Sequence, residues 1–99
     1  MKPRLGPRQR LDKWLWFARV AKTRGLAARL ITGGHVRLNA RRIETPAKAV
    51  SPGDVLTIAL EHRVRVLKIV AAGTRRDGFS RAALLFEDLS PPSANVTPS

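Results

Sequence analysis

At Gly33-Gly34 the spacing of apolar residues changes period, and that change most narrows what this chain can fold into. Before it, Leu26, Ala27, Leu30 and Ile31 form the arc of a helix; after it, Val36, Leu38 and Ile43 alternate with polar residues as strand residues do. A helix must therefore stop at the two glycines and feed directly into a strand. Thr23 is placed to cap the start of that helix and Gly33-Gly34 to end it. Gly25 inside it costs up to about 1 kcal/mol relative to Ala, so packing rather than propensity must hold it.

A first helix precedes this one. Leu11, Trp14, Leu15 and Ala18 fall at i, i+3, i+4 and i+7, Phe17 and Ala21 widen the same face, and Asp12 suits the positive N-terminal end. Trp16 falls on the other side with Lys13 and Arg19, where it is expected to be partly packed next to a cationic surface. In "HVRLNARRI" the pair Asn39-Ala40 sits where a two-residue hairpin turn belongs. That turn would pair Leu38 with Arg41, Arg37 with Arg42 and Val36 with Ile43. "SPGD" at 51–54 reads as a further turn, with Asp54 as its closing polar residue. "VLTIAL" and "RVRVLKIV" then read as strands, and "AALLFEDL", which fits strand or helix, is taken as strand. The expected fold is α+β, with two helices plus a β-hairpin packed on a small, mainly antiparallel sheet. Residues 1–9 read as a flexible basic arm, 10–89 as one domain, and 90–99 as a disordered tail.

The two helices and the hairpin carry an unusual charge. Residues 22–42 hold six Lys or Arg and no carboxylate. Of the net +12, residues 1–50 supply +11 (13 cations against Asp12 and Glu44) and residues 51–99 only +1 (6 against 5). Charge of one sign opposes compaction unless a polyanion neutralises it, so the partner should be a polyanion and its face should lie in the first half. Lys13, Lys22, Arg24 and Arg29 on the helices, with Arg37, Arg41, Arg42 and Lys48 from the hairpin region, are the residues that packing can gather into one field. Thr23, at a helix N-terminus, can share backbone N–H groups with a phosphate.

Other chemistries find little support. With no cysteine there is no disulfide or thiolate zinc site, and His35 and His62 stand apart, without an acidic cluster. The seven carboxylates are scattered, no nucleophile has a base at motif spacing, and "ITGGH" lacks the lysine and preceding strand of a phosphate loop. Neither catalysis nor a metal or other cofactor is expected. No run approaches the roughly 20 apolar residues of a membrane span, and the helix that carries both tryptophans has a folded core to bury its apolar face, which speaks against a membrane-surface role.

"RLDKWLW", "KTRGLAARLITGGHVRLN" and the Val50–Leu56 pattern V-x-PGD-x-L together resemble the RNA-binding domain of the S4 superfamily, over roughly residues 10–58. The "WLW" after "RLDK", the "KTR" before the second helix, and Arg75-Arg76 with "AALLFED" are similar, more narrowly, to the ribosome-associated heat-shock protein family of that superfamily. The resemblance implies a non-enzymatic, cytoplasmic RNA-binding protein. Its target would be RNA of the large ribosomal subunit, particularly a free subunit that still holds a nascent chain on tRNA and needs rescue. Carried over by position, the RNA face would include Arg10, Lys13, Lys22, Thr23, Arg24, Arg29, Arg37, Asn39 and Arg42, and the chain would act as a monomer. Charge alone does not separate this target from tRNA, other structured RNA or DNA. Where the family usually has Asn-Gly at the hairpin, this chain has Asn39-Ala40, and a Pro/Ser-rich end stands where relatives often continue into a basic helix.

Overall fold

The apolar arc Leu11, Trp14, Leu15 and Ala18 is buried in the computed structural model, which describes residues 8–73 and 82–90. It forms one side of helix α1, Leu11–Phe17. The helix stops where Arg19 turns left-handed (φ 60°). The Arg19 N–H donates to Trp16 O at 3.1 Å and the Val20 N–H to Leu15 O at 3.0 Å, the two bonds of a Schellman C-cap. Helix α2, Arg24–Thr32, starts with Thr23 Oγ1 accepting the Leu26 N–H at 3.0 Å. It ends in the same motif with Gly34 as the left-handed residue (φ 82°), as His35 N–H donates to Leu30 O and Gly34 N–H to Ile31 O, each at 3.0 Å. The two glycines therefore stop the helix where the sequence places the stop.

Strands β2 (Val36–Leu38), β3 (Arg41–Arg42), β5 (Val55–Ala59), β6 (Val64–Ile69) and β7 (Phe86–Asp88) build one antiparallel sheet in the order β3-β2-β5-β6-β7. The hairpin register is the expected one. Arg37 pairs with Arg42 and Leu38 with Arg41, and the Ile43 N–H donates to Val36 O at 3.0 Å. One face of the sheet presents Val36, Leu38, Leu56, Ile58, Leu67 and Ile69, which join Leu11, Trp14, Leu15, Ala27 and Ile31 in a single core. Trp14 is fully buried, its indole N–H donating to Ala71 O at 2.9 Å.

Two short strands were not legible in the sequence. Gln9–Arg10 (β1) pairs antiparallel with Ala49–Val50 (β4), beside the main sheet. Gln9 is also tied to Gly73, donating to its carbonyl at 2.8 Å and accepting from its N–H at 3.0 Å. Residues 1–7 of the expected arm and 91–99 of the expected tail lie outside the described residues. The reading of "AALLFEDL" as one strand is corrected: Ala83–Leu85 form a short 3-10 turn and only Phe86–Asp88 are strand. An apolar run of that length fits either state, and pairing with β6 begins only where Phe86 sits opposite Ile69.

Candidate nucleic-acid interface

The cationic surface of the first half of the chain begins at a buried acid. Asp12, in the first turn of α1, is 5% exposed and accepts a forked pair of hydrogen bonds from Arg10, Nε to Oδ1 at 3.1 Å and Nη2 to Oδ2 at 3.0 Å. The Lys13 N–H adds a bond at 2.7 Å, and Arg24 Nη2, arriving from α2, lies 3.7 Å from Oδ2. Burial pushes the Asp12 carboxyl up, but the Arg10 hydrogen bond, the Lys13 N–H and the charges of Arg10 and Arg24 outweigh it, so the group titrates below its usual range. The same contact raises Arg10. One carboxylate thus holds two guanidinium groups from different elements side by side, both still half open to solvent.

The segment before β4 extends this cluster. Leu11 N–H donates to Lys48 O at 2.9 Å and Asp12 N–H to Pro46 O at 3.1 Å, so the orphan donors that open α1 are met by the chain that carries Lys48. Lys48 and Arg42 line one open groove of about 580 Å³, with Ile43, Glu44 and Thr45. Directly across the hairpin from Arg42 is Arg37. The shared Asp12, the Leu11–Lys48 backbone bond, the groove and the hairpin pairing thus link Arg24, Arg10, Lys48, Arg42 and Arg37 in turn, as a candidate strip. Lys13 adjoins its α1 end, where its ammonium lies 5.9 Å from the centre of the Phe17 ring.

Five expected residues stand elsewhere. Arg41 is paired with Leu38, so the alternation puts it on the other side of the hairpin from Arg37 and Arg42. Lys22 and Arg29 flank a separate groove of about 640 Å³ along α2, floored by Val20, Leu26, Leu30 and Leu60. Asn39 has both polar atoms in use, Nδ2 donating to Asp54 Oδ1 at 3.1 Å and Oδ1 accepting the Val55 N–H at 2.9 Å. Asp54 in turn accepts the Ser51 N–H at 3.0 Å. Asn39 therefore locks the hairpin turn onto the SPGD turn. Thr23 has its hydroxyl oxygen engaged in the α2 cap.

Asp12 as a tether left no signal in the sequence beyond its position at a helix start. The sequence does place Glu44 two residues past Arg42 on the same alternating face, and in the fold it pairs with Arg42 at 3.0 Å. Among the described residues no group of three or more His, Cys, Asp or Glu is placed to hold a metal, and no helix is long and apolar enough to cross a membrane.

Two helices running into a hairpin, with cations along their shared edge, define a class of domain. The S4 domain model matches residues 9–56, and the chain belongs to the S4-domain family. Within that family it is similar to heat shock protein 15 of Escherichia coli K12, 41% identical over 88 residues that cover 89% of this chain and 65% of the relative. The chain thus spans about two-thirds of that relative's length. A solved structure described as a trimer of Vibrio cholerae heat shock protein 15 superposes with a TM-score of 0.77 at 36% identity, covering 83% of this chain and 82% of the other. Small ribosomal subunit protein uS4 of Geobacillus thermodenitrificans is 31% identical over 79% of this chain and 38% of its own length.

Proposed function

We propose that this chain is a non-enzymatic RNA-binding protein that grips ribosomal RNA of the large subunit, in the rescue or recycling of stalled subunits that carry a nascent chain on tRNA. The strip from Arg24 to Arg37 carries the reading. It sets two arginines directly opposite each other on a hairpin, an arrangement that costs folding energy and makes sense where a phosphate enters between them, and it gathers two more at one carboxylate. The relatives' names, heat shock protein 15 and a ribosomal protein, support RNA of ribosomes as the partner. Lys22, Arg29, Arg41 and Lys13 widen the positive field around the strip. A place in the cytoplasm, where ribosomes work, belongs to this reading.

The test is binding to purified large subunits, small subunits, tRNA and duplex DNA at several salt concentrations. Large subunits should bind tightest, with affinity falling by about 0.7 to 0.9 log units per log unit of salt for each phosphate neutralised. Arg37→Ala should weaken binding and lower that slope by about one contact. Equal affinity for tRNA or DNA would replace the large subunit by structured nucleic acid in general; a flat salt response would remove the reading. We read one chain per RNA site, and light scattering of the free and bound protein separates this from a trimer like that of the Vibrio relative.

A further inference from the structure

The groove between Arg42 and Lys48 holds a carboxylate where the RNA reading puts a phosphate. Arg42 Nε at 3.1 Å and Nη2 at 3.0 Å converge on a single oxygen, Oε2 of Glu44. The same N–H edge of a guanidinium is what grips a phosphate. The guanidinium is backed by the chain itself, since a Cβ on Gly34 would lie 2.9 Å from its Nε and 3.1 Å from its Cζ. Gly34, already required by its positive φ, is thus also the shelf on which Arg42 rests. Lys48 and Thr45 line the same groove, and Arg37 stands across the hairpin. Glu44 is the one carboxylate between Asp12 and Asp54 in the sequence.

We propose that this groove is a phosphodiester subsite, and that Glu44 occupies it in the free protein as a stand-in for the phosphate. The proposal rests on the RNA reading and deepens it. Arg42 and Glu44 are 61% and 57% exposed, so no burial locks their pair, and an exposed pair of this kind holds weakly. An incoming phosphate takes the guanidinium from Glu44 and adds Lys48. The exchange sets affinity: a lone anion gains little over the carboxylate it displaces, whereas an RNA that engages the rest of the strip at the same time drives Glu44 out. Glu44 thereby makes the subsite selective for a phosphate delivered by a long polyanion.

The experiment measures binding of purified large ribosomal subunits at fixed salt by wild type, Glu44→Gln, Arg42→Ala, the double variant, and Glu87→Gln. Glu87 supplies the charge control, since it is exposed on β7, at the opposite edge of the sheet from β3. Glu44→Gln should tighten binding about threefold to fivefold, the range an exposed ion pair allows. Glu87→Gln, with the same change in net charge, should shift it less than twofold, and the gain should vanish in the Arg42→Ala background. A gain that persists without Arg42 would show a net-charge effect and overturn the proposal. So would wild-type binding with no gain in Glu44→Gln, which would leave the RNA reading standing. If no chain binds any RNA, that reading falls and this subsite falls with it.

Discussion

Asp12 is acidic in a neighbourhood that is otherwise cationic, and its carboxyl is held below the usual range because two arginines and a backbone N–H favour the charged form. A group whose folded value is lowered contributes stability that is present above its unfolded value, near pH 4, and is lost as pH falls through the lowered folded value. Asp12→Asn should therefore flatten the fall of thermal stability below about pH 4. At neutral pH the two possible roles of this residue predict opposite signs. If Asp12 only dilutes positive charge, Asn should strengthen RNA binding; if it sets Arg10 and Arg24 side by side, Asn should weaken it despite the higher net charge. We expect weakening, read by subunit binding at fixed salt, and a gain would show that the tether has no part in recognition. None of this was legible in the sequence, where Asp12 reads as a helix-dipole residue. Arg24 is twelve positions away and comes near only after α2 folds back on α1. That Asn39 joins two turns was hidden for the same reason, since its partners Asp54 and Val55 lie 15 and 16 residues on.

The elements were read well where local rules are strong and poorly where the signal is short. The two-residue turn fixed the register of Arg37 opposite Arg42, because slipping by one residue would send Val36 and Leu38 to the wrong face. Thr23 and Gly34 cap α2 as their residue types suggest. The end of α1 was hidden, since its Schellman residue is Arg19 instead of glycine, and the two-residue strands β1 and β4 are too short to show any alternation. The hairpin turn itself keeps a local conflict. Asn39 (φ 50°) and Ala40 (φ 73°) both sit in the left-handed region that a type I′ turn needs, and alanine there is strained by about 1 kcal/mol. Ala40→Gly should raise the melting temperature by a few degrees, an effect of that size in a domain of this length. RNA affinity should stay unchanged, because the register that presents Arg37 and Arg42 is already fixed. A drop in melting temperature would mean that the Ala40 methyl group makes a packing contact worth more than the strain.

At the scale of the whole molecule, a net charge of +12, of which +11 lies in residues 1–50, is folded into one small domain around one core. Ion pairs such as Arg10–Asp12 and Arg42–Glu44 neutralise a few cations, but the cations far outnumber the carboxylates in that half. Repulsion among the rest raises the free energy of the folded state more than that of the expanded chain, where the same charges lie further apart. Added salt screens this repulsion over the Debye length, about 8 to 10 Å near physiological ionic strength. The melting temperature of the free protein should therefore rise with added sodium chloride between about 0.05 and 0.3 M, while RNA affinity falls steeply over the same range. The opposition of the two signs is the informative result, because attraction between ion pairs and attraction to RNA both weaken with salt, and only like-charge repulsion is relieved by it. A melting temperature that falls with salt would show that the paired acids, Asp12 foremost, outweigh the repulsion. The excess charge would then be a feature the fold itself uses, and the idea that the free chain is electrostatically incomplete without a polyanion would fail.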